Sequence, residues 1–110
     1  MRHQAKIAAA MRAAHKPERR LAANAVLLRE DDGTVTVRLH RTEVARRNPD
    51  GSVNVQSGGF RTRTTAVWIA SALAAFTDMP HGASIAGGGF TVSNMFGQTE
   101  VDSTWTPVEV

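Results

Sequence analysis

Residues 64–76 do most to limit what this chain can fold into, because Thr65, Ile69, Ala72, Leu73 and Phe76 recur on one helical face with Trp68 at its margin. A helix with one apolar stripe must lay it on another layer. Thr62 or Thr64 can cap its start through a side-chain oxygen, and Pro80-His81-Gly82 breaks any helical continuation beyond it.

The segment before this helix has the period of strands. Residues 25–29 are short and apolar, Asp31-Asp32-Gly33 is a turn signal, and residues 34–40 alternate with Val35, Val37 and Leu39 on one face. Residues 42–46 come next, and the turn Asn48-Pro49-Asp50-Gly51 leads into residues 52–56, where Val53 and Val55 alternate again. This predicts an antiparallel meander of three or more strands. Ser57-Gly58-Gly59 breaks it just ahead of the helix.

Two further segments flank this unit. At residues 3–15, Ile7, Met11 and Ala14 share one helical face and Arg2, Lys6, Arg12 and Lys16 the opposite arc, with Pro17 to end the helix. Past the central helix, residues 83–86 and 90–93 flank Gly87-Gly88-Gly89 and read as a hairpin able to extend the sheet. Residues 103–110 have strand-like content, which Pro107 confines to a sheet edge. The expected fold is one α+β domain over residues 1–110. It has a basic helical segment at 1–20 and a core at 23–110, in which an antiparallel sheet carries one central helix.

Composition narrows the function classes. Of the 42% hydrophobic residues in 110, seventeen are Ala, so the core is built largely from small side chains. Cys is absent, which removes disulfides, thiolate nucleophiles and cysteine zinc sites, and fits a reducing compartment. No apolar run approaches the roughly 18 residues of a membrane span, so no membrane partner and a host-cytoplasmic location are expected. All 13 Lys and Arg lie between Arg2 and Arg63 against six acids, a balance of +7; the rest carries four acids and no base, a balance of −4. Such a front suits a polyanion or an acidic protein surface and excludes a DNA-mimic inhibitor.

The inventory for catalysis is thin. His3, His15, His40 and His81 lie on four separate segments with no metal-ligand spacing, so neither metal nor cofactor is expected. Ser57 or Ser71 with His40 and Asp50 would make a nucleophilic triple, but no Gly-x-Ser-x-Gly elbow places the serine. No catalytic residue is assigned. The segment Ser57-Gly58-Gly59-Phe60-Arg61-Thr62-Arg63-Thr64-Thr65 is a candidate anion cradle. Gly58 and Gly59 would expose amides, a helix would start there, and Arg61, Arg63, Thr62 and Thr64 would complete the site. It lacks the Gly-Lys-Ser/Thr of a P-loop, and its plain reading is a capped helix after a glycine turn. The other feature is a basic surface of Arg2, Lys6, Arg12, Lys16, Arg38, Arg41, Arg46 and Arg47, whose plain reading is solvated charge. Only six aromatics are available to stack on bases.

These residues resemble a group of short proteins of tailed phages and prophages. Members carry Leu-His-Gly-Thr, an Asp-Gly turn, and Ser-Gly-Gly-Trp-Arg-Thr-x-Thr-Thr-Lys opening a helix. The matching stretches here are Leu39-His40-Arg41-Thr42, Asp50-Gly51 and the nine residues from Ser57 to Thr65, within residues 35–76. Arg41 replaces the Gly of the pattern, Phe60 the Trp and Ala66 the Lys. The resemblance implies a phage-type accessory protein and brings no activity with it.

Three function classes remain. The first is a non-enzymatic inhibitor or modulator of a host factor, an anti-defence or anti-CRISPR protein among them, whose Arg-rich surface meets a host protein or nucleoprotein complex. The second is a direct DNA- or RNA-binding accessory protein using the basic helix and Arg46-Arg47. A minor enzyme with the glycine-Arg-Thr turn as phosphate site ranks last, since no general base stands beside it. A homodimer is a further expectation, because an Ala-rich core and an edge strand both invite pairing.

Overall fold

The computed structural model describes residues 2–13, 17–59, 62–86 and 89–110. Helix α1 (Gln4–Arg12) precedes five strands: β1 (Glu18–Ala22), β2 (Ala25–Arg29), β3 (Val35–Leu39), β4 (Thr42–Arg47) and β5 (Val53–Val55). Helix α2 (Arg63–Thr77) comes next, then β6 (Gly82–Ala86), β7 (Gly89–Asn94), β8 (Gly97–Glu100) and β9 (Thr106–Val108). The α+β class therefore holds, with a six-stranded antiparallel sheet in the order β1-β2-β3-β4-β5-β9 and a second sheet of β6-β7-β8.

Alternation decides which face of the large sheet is covered. Ala25, Leu27, Val35, Val37, Leu39, Val53 and Val55 share a face by register and are all buried. A bulge between β3 and β4 leaves Val44 as an extra residue, so Val44 and Ala45 are both buried. Helix α2 crosses this face, packed against β3, β4 and β5 as well as α1 and β6. Enclosed on several sides, it is apolar nearly all round: Ala66, Ala70, Ala72 and Ala74 are buried beside Trp68, Ile69, Leu73 and Phe76. The small side chains let α1 and β6 approach closely. At the α1 contact, His3 stacks on Trp68 with ring centroids 3.8 Å apart and planes 6° from parallel.

Two expectations need correction. Helix α1 stops at Arg12, short of the Pro17 expected to end it, and residues 18–20, grouped with the basic helical segment, instead open the edge strand Glu18–Ala22. Pro17 divides the two, and its carbonyl accepts from Arg29 N at 2.8 Å, which starts the β1–β2 ladder. The C-terminal hairpin does not extend the large sheet. The edge of β5 is already taken by β9, with Val53 opposite Val108 and Pro107 opposite Asn54, so β6 and β7 form their own sheet with β8. Pro107 thus lies on an edge strand, the place a residue without an amide donor can occupy. Among the described residues, no helix is long and apolar enough to cross a membrane.

Candidate functional site

The start of α2 is built by the residues that the sequence singles out. Thr62 caps the helix, its Oγ1 accepting from Thr65 N at 3.2 Å and lying 3.0 Å from Thr65 Oγ1, while its carbonyl accepts from Ala66 N. The amides of Arg63 and Thr64, like the first amides of any helix, have no partner within it. Upstream, Ser57 is buried and tied to Asp102 O through both its amide (3.0 Å) and its hydroxyl (3.3 Å), and Gly59 N donates to Ser57 Oγ at 3.2 Å. The glycine turn therefore spends one of its amides on itself. Gly58 has a second constraint: its φ is +61°, and a Cβ there would collide with Thr42 Cγ2. Phe60 and Arg61 lie outside the described residues.

That close approach joins Thr42 and Gly58, 16 positions apart in sequence. The β3–β4 turn, with His40 in a left-handed conformation (φ 57°), meets the α2 start across a cleft of about 600 Å³. Leu39 and Val44 form its apolar floor, Thr42, Ser57, Thr62, Thr64 and Thr65 its walls, and His40 and Arg41 its rim. Thr64 also borders a smaller cleft with Arg2 and Arg63. Three arginines thus surround one end of α2, and the described residues lining the two clefts include no carboxylate.

The other predicted bases do not join them. Arg38 lies on the open face of the sheet, paired with Glu18 at 3.2 Å and opposite Glu43 in register. Arg46, on the same face, covers the ring of Trp105 at 4.4 Å, and its Nε is buried without a hydrogen-bond partner among the described residues. Arg47 borders a different cleft, with Arg12 and Arg29 near the end of α1, where Arg29 donates to the carbonyls of Ala10 and Met11. Lys6 is exposed on α1, and Lys16 lies outside the described residues. The expected basic surface is accordingly spread over several faces. Among the described residues, no three His, Asp or Glu side chains gather as a metal site.

A family model described as Kyanoviridae Gp96 protein matches residues 2–103, from α1 through β8. The chain belongs to this family. It is a phage protein, and both halves of the cleft fall within the matched stretch. No curated protein and no solved structure matches the chain.

A second feature of this Kyanoviridae Gp96 family member escapes the sequence reading. Strands β7 and β8 are joined at Asn94-Met95-Phe96-Gly97, where Met95 is 78% and Phe96 53% exposed. Asn94 organises this end of the molecule: its Oδ1 accepts from Phe96 N at 2.8 Å, and its Nδ2 donates to Glu109 O at 2.8 Å and faces His81 Nε2 at 3.2 Å. Because Asn94 Nδ2 is a donor, His81 Nε2 accepts and Nδ1–H donates to Met79 O (2.9 Å). His81 is therefore neutral here, and its burial holds its pKa below the ordinary histidine value. The sequence signal was two large apolar residues between Asn and Gly, where a turn calls for neither.

Proposed function

We propose that this phage protein is a non-enzymatic binding protein that inhibits or redirects a host factor by docking an acidic face of it at the α2 start. The carrying observation is the convergence of His40, Arg41 and Thr42 with Ser57, Thr62, Thr64 and Thr65 on one cleft, with Arg2 and Arg63 beside it. Guanidinium forks, threonine hydroxyls and the positive end of a helix complement carboxylates, while the buried Leu39 and Val44 close the bottom of the cleft between them. The described lining has hydroxyls and one imidazole but no carboxylate to orient or relieve that imidazole, which favours holding a partner over turning one over. The open sheet face supports direct nucleic-acid binding less well, since Glu18 and Glu43 offset its arginines.

The test is capture of partners from infected host cells, followed by titration of the purified partner against the wild type and an Arg41→Glu/Arg63→Glu variant. Saturable binding that weakens at least about tenfold in the variant, or about 1.4 kcal/mol, is expected. Unchanged affinity overturns the reading. So does salt-steep binding of DNA or RNA that survives these substitutions, which would put the nucleic-acid class in its place.

A further inference from the structure

The Met95-Phe96 tip is not explained by the turn that carries it. Asn94 and Gly97 pair across the strands and supply the turn geometry, Gly97 at φ +131° and Asn94 through its bond to Phe96 N. The two intervening positions ordinarily take small or polar residues. Two large apolar side chains left in water at a projecting end mark a contact surface.

The tip and the cleft stand at opposite ends of α2. Strand β6 starts just past the helix, pairs Gly82 with Ser93 at the tip end, and brings Ile85 beside Arg63 and Val67 at the cleft end. With 15 residues, the α2 helix that runs between the two ends is about 22 Å long. Their chemistries are complementary. No Lys or Arg lies beyond Arg63 in the chain, and two acids lie on the segments that meet Asn94 at the tip: Asp78 after α2, next to the Met79 whose carbonyl accepts from His81, and Glu109, whose carbonyl is bonded to Asn94. The cleft has an apolar floor and Arg41 on its rim, and Arg2 and Arg63 line the smaller cleft that shares Thr64 with it.

We propose that copies of this chain associate head to tail, the Met95-Phe96 tip of one seated in the Leu39/Val44 cleft of the next, with the tip's acids facing Arg41, Arg2 and Arg63. The inference rests on the proposed function only in taking the cleft as a binding site. Such a contact uses different surfaces on its two sides, so each addition leaves one tip and one cleft free, and the product is a ring or an open chain. The small contact makes the association weak and concentration-dependent.

Sedimentation velocity on three proteins tests it. The wild type should rise above its 11.8 kDa monomer mass with concentration. Phe96→Asp removes the tip and Thr64→Trp fills the cleft; both positions are exposed, and each variant alone should remain monomeric. Their equimolar mixture should form a 1:1 dimer and nothing larger, because it contains one usable tip and one usable cleft. Met95→Asp and Arg41→Glu serve as the second pair if either variant loses its urea midpoint. A wild type monomeric to millimolar concentration overturns the proposal, as does a monomeric mixture. Association retained by Thr64→Trp overturns it in favour of tip-to-tip pairing. Phe96→Asp should bind the host partner like the wild type, so loss of self-association and failure of the host-binding reading are told apart.

Discussion

Replacing Gly58 with Ala tests whether the glycine turn and the β3–β4 turn are held together as the cleft requires. Two costs arise. Placing a Cβ at φ +61° costs about 1–2 kcal/mol, and pushing aside Thr42 Cγ2, on a side chain stiff at χ1, costs about 1–3 kcal/mol. The sum, about 2–5 kcal/mol, is a large part of the roughly 5–15 kcal/mol that stabilises a domain of this size. A Thr42→Ser background separates the two terms. With the methyl gone, the nearest remaining atoms, Cβ and Oγ of residue 42, stand 3.5 Å from the new Cβ, an ordinary contact. Gly58→Ala should then cost only its backbone term. Urea unfolding monitored through Trp68 and Trp105 fluorescence reads both backgrounds. At about 2 kcal/mol per molar, the midpoint should fall by roughly 1–2.5 M in the wild-type background and by about half to one molar in the serine background. Equal losses, within about 0.5 kcal/mol, would refute the contact as the reason for glycine at this position.

Thr62→Ala should cost about 1 kcal/mol in the same urea assay by removing the acceptor for Thr65 N, and Thr62→Ser should restore most of it. Stability should fall as pH drops through about 6.5, because His81 is held low by burial, and His3 by burial and then by Arg2 and Lys6. Both bind protons more readily unfolded than folded, so their contribution is present above that pH and lost below it; urea midpoints of a His3→Phe/His81→Asn variant should be flatter over this range. Asp32 and Asp50, held below the usual carboxylate range by hydrogen bonds from Thr34 and Ser52, act only at lower pH. Arg46→Gln should cost about 0.5–1 kcal/mol by uncovering Trp105, with a red shift of its emission; an unchanged spectrum would count against that stack.

The parts that were legible are those whose signals are local. Helix α2 shows itself through its apolar period and the Thr62 cap, and the β2–β3 and β4–β5 hairpins through alternation around Asp-Gly turns. Strand β1 was hidden because Glu-Arg-Arg at an edge carries little apolar pattern, and β8, Gly-Gln-Thr-Glu, because neither face of it is well buried. Both are held chiefly by backbone pairing to a neighbour, which leaves little trace in side-chain order. The tip was missed for a related reason: an apolar pair reads as core unless its exposure is known.

Sequence alone determined the element types near α2, the cap, the glycine requirement of the turn, and the charge imbalance between the halves. Tertiary structure decided what those features face. It brought Thr42 against Gly58, turned Val44 inward through a bulge, paired Arg38 with Glu18 and laid Arg46 on Trp105, leaving Arg2, Arg41 and Arg63 around one end of a helix. The division comes from range. Caps, turns and periods arise among residues a few positions apart, whereas a cleft or a charge patch depends on which distant segments the sheet order sets side by side.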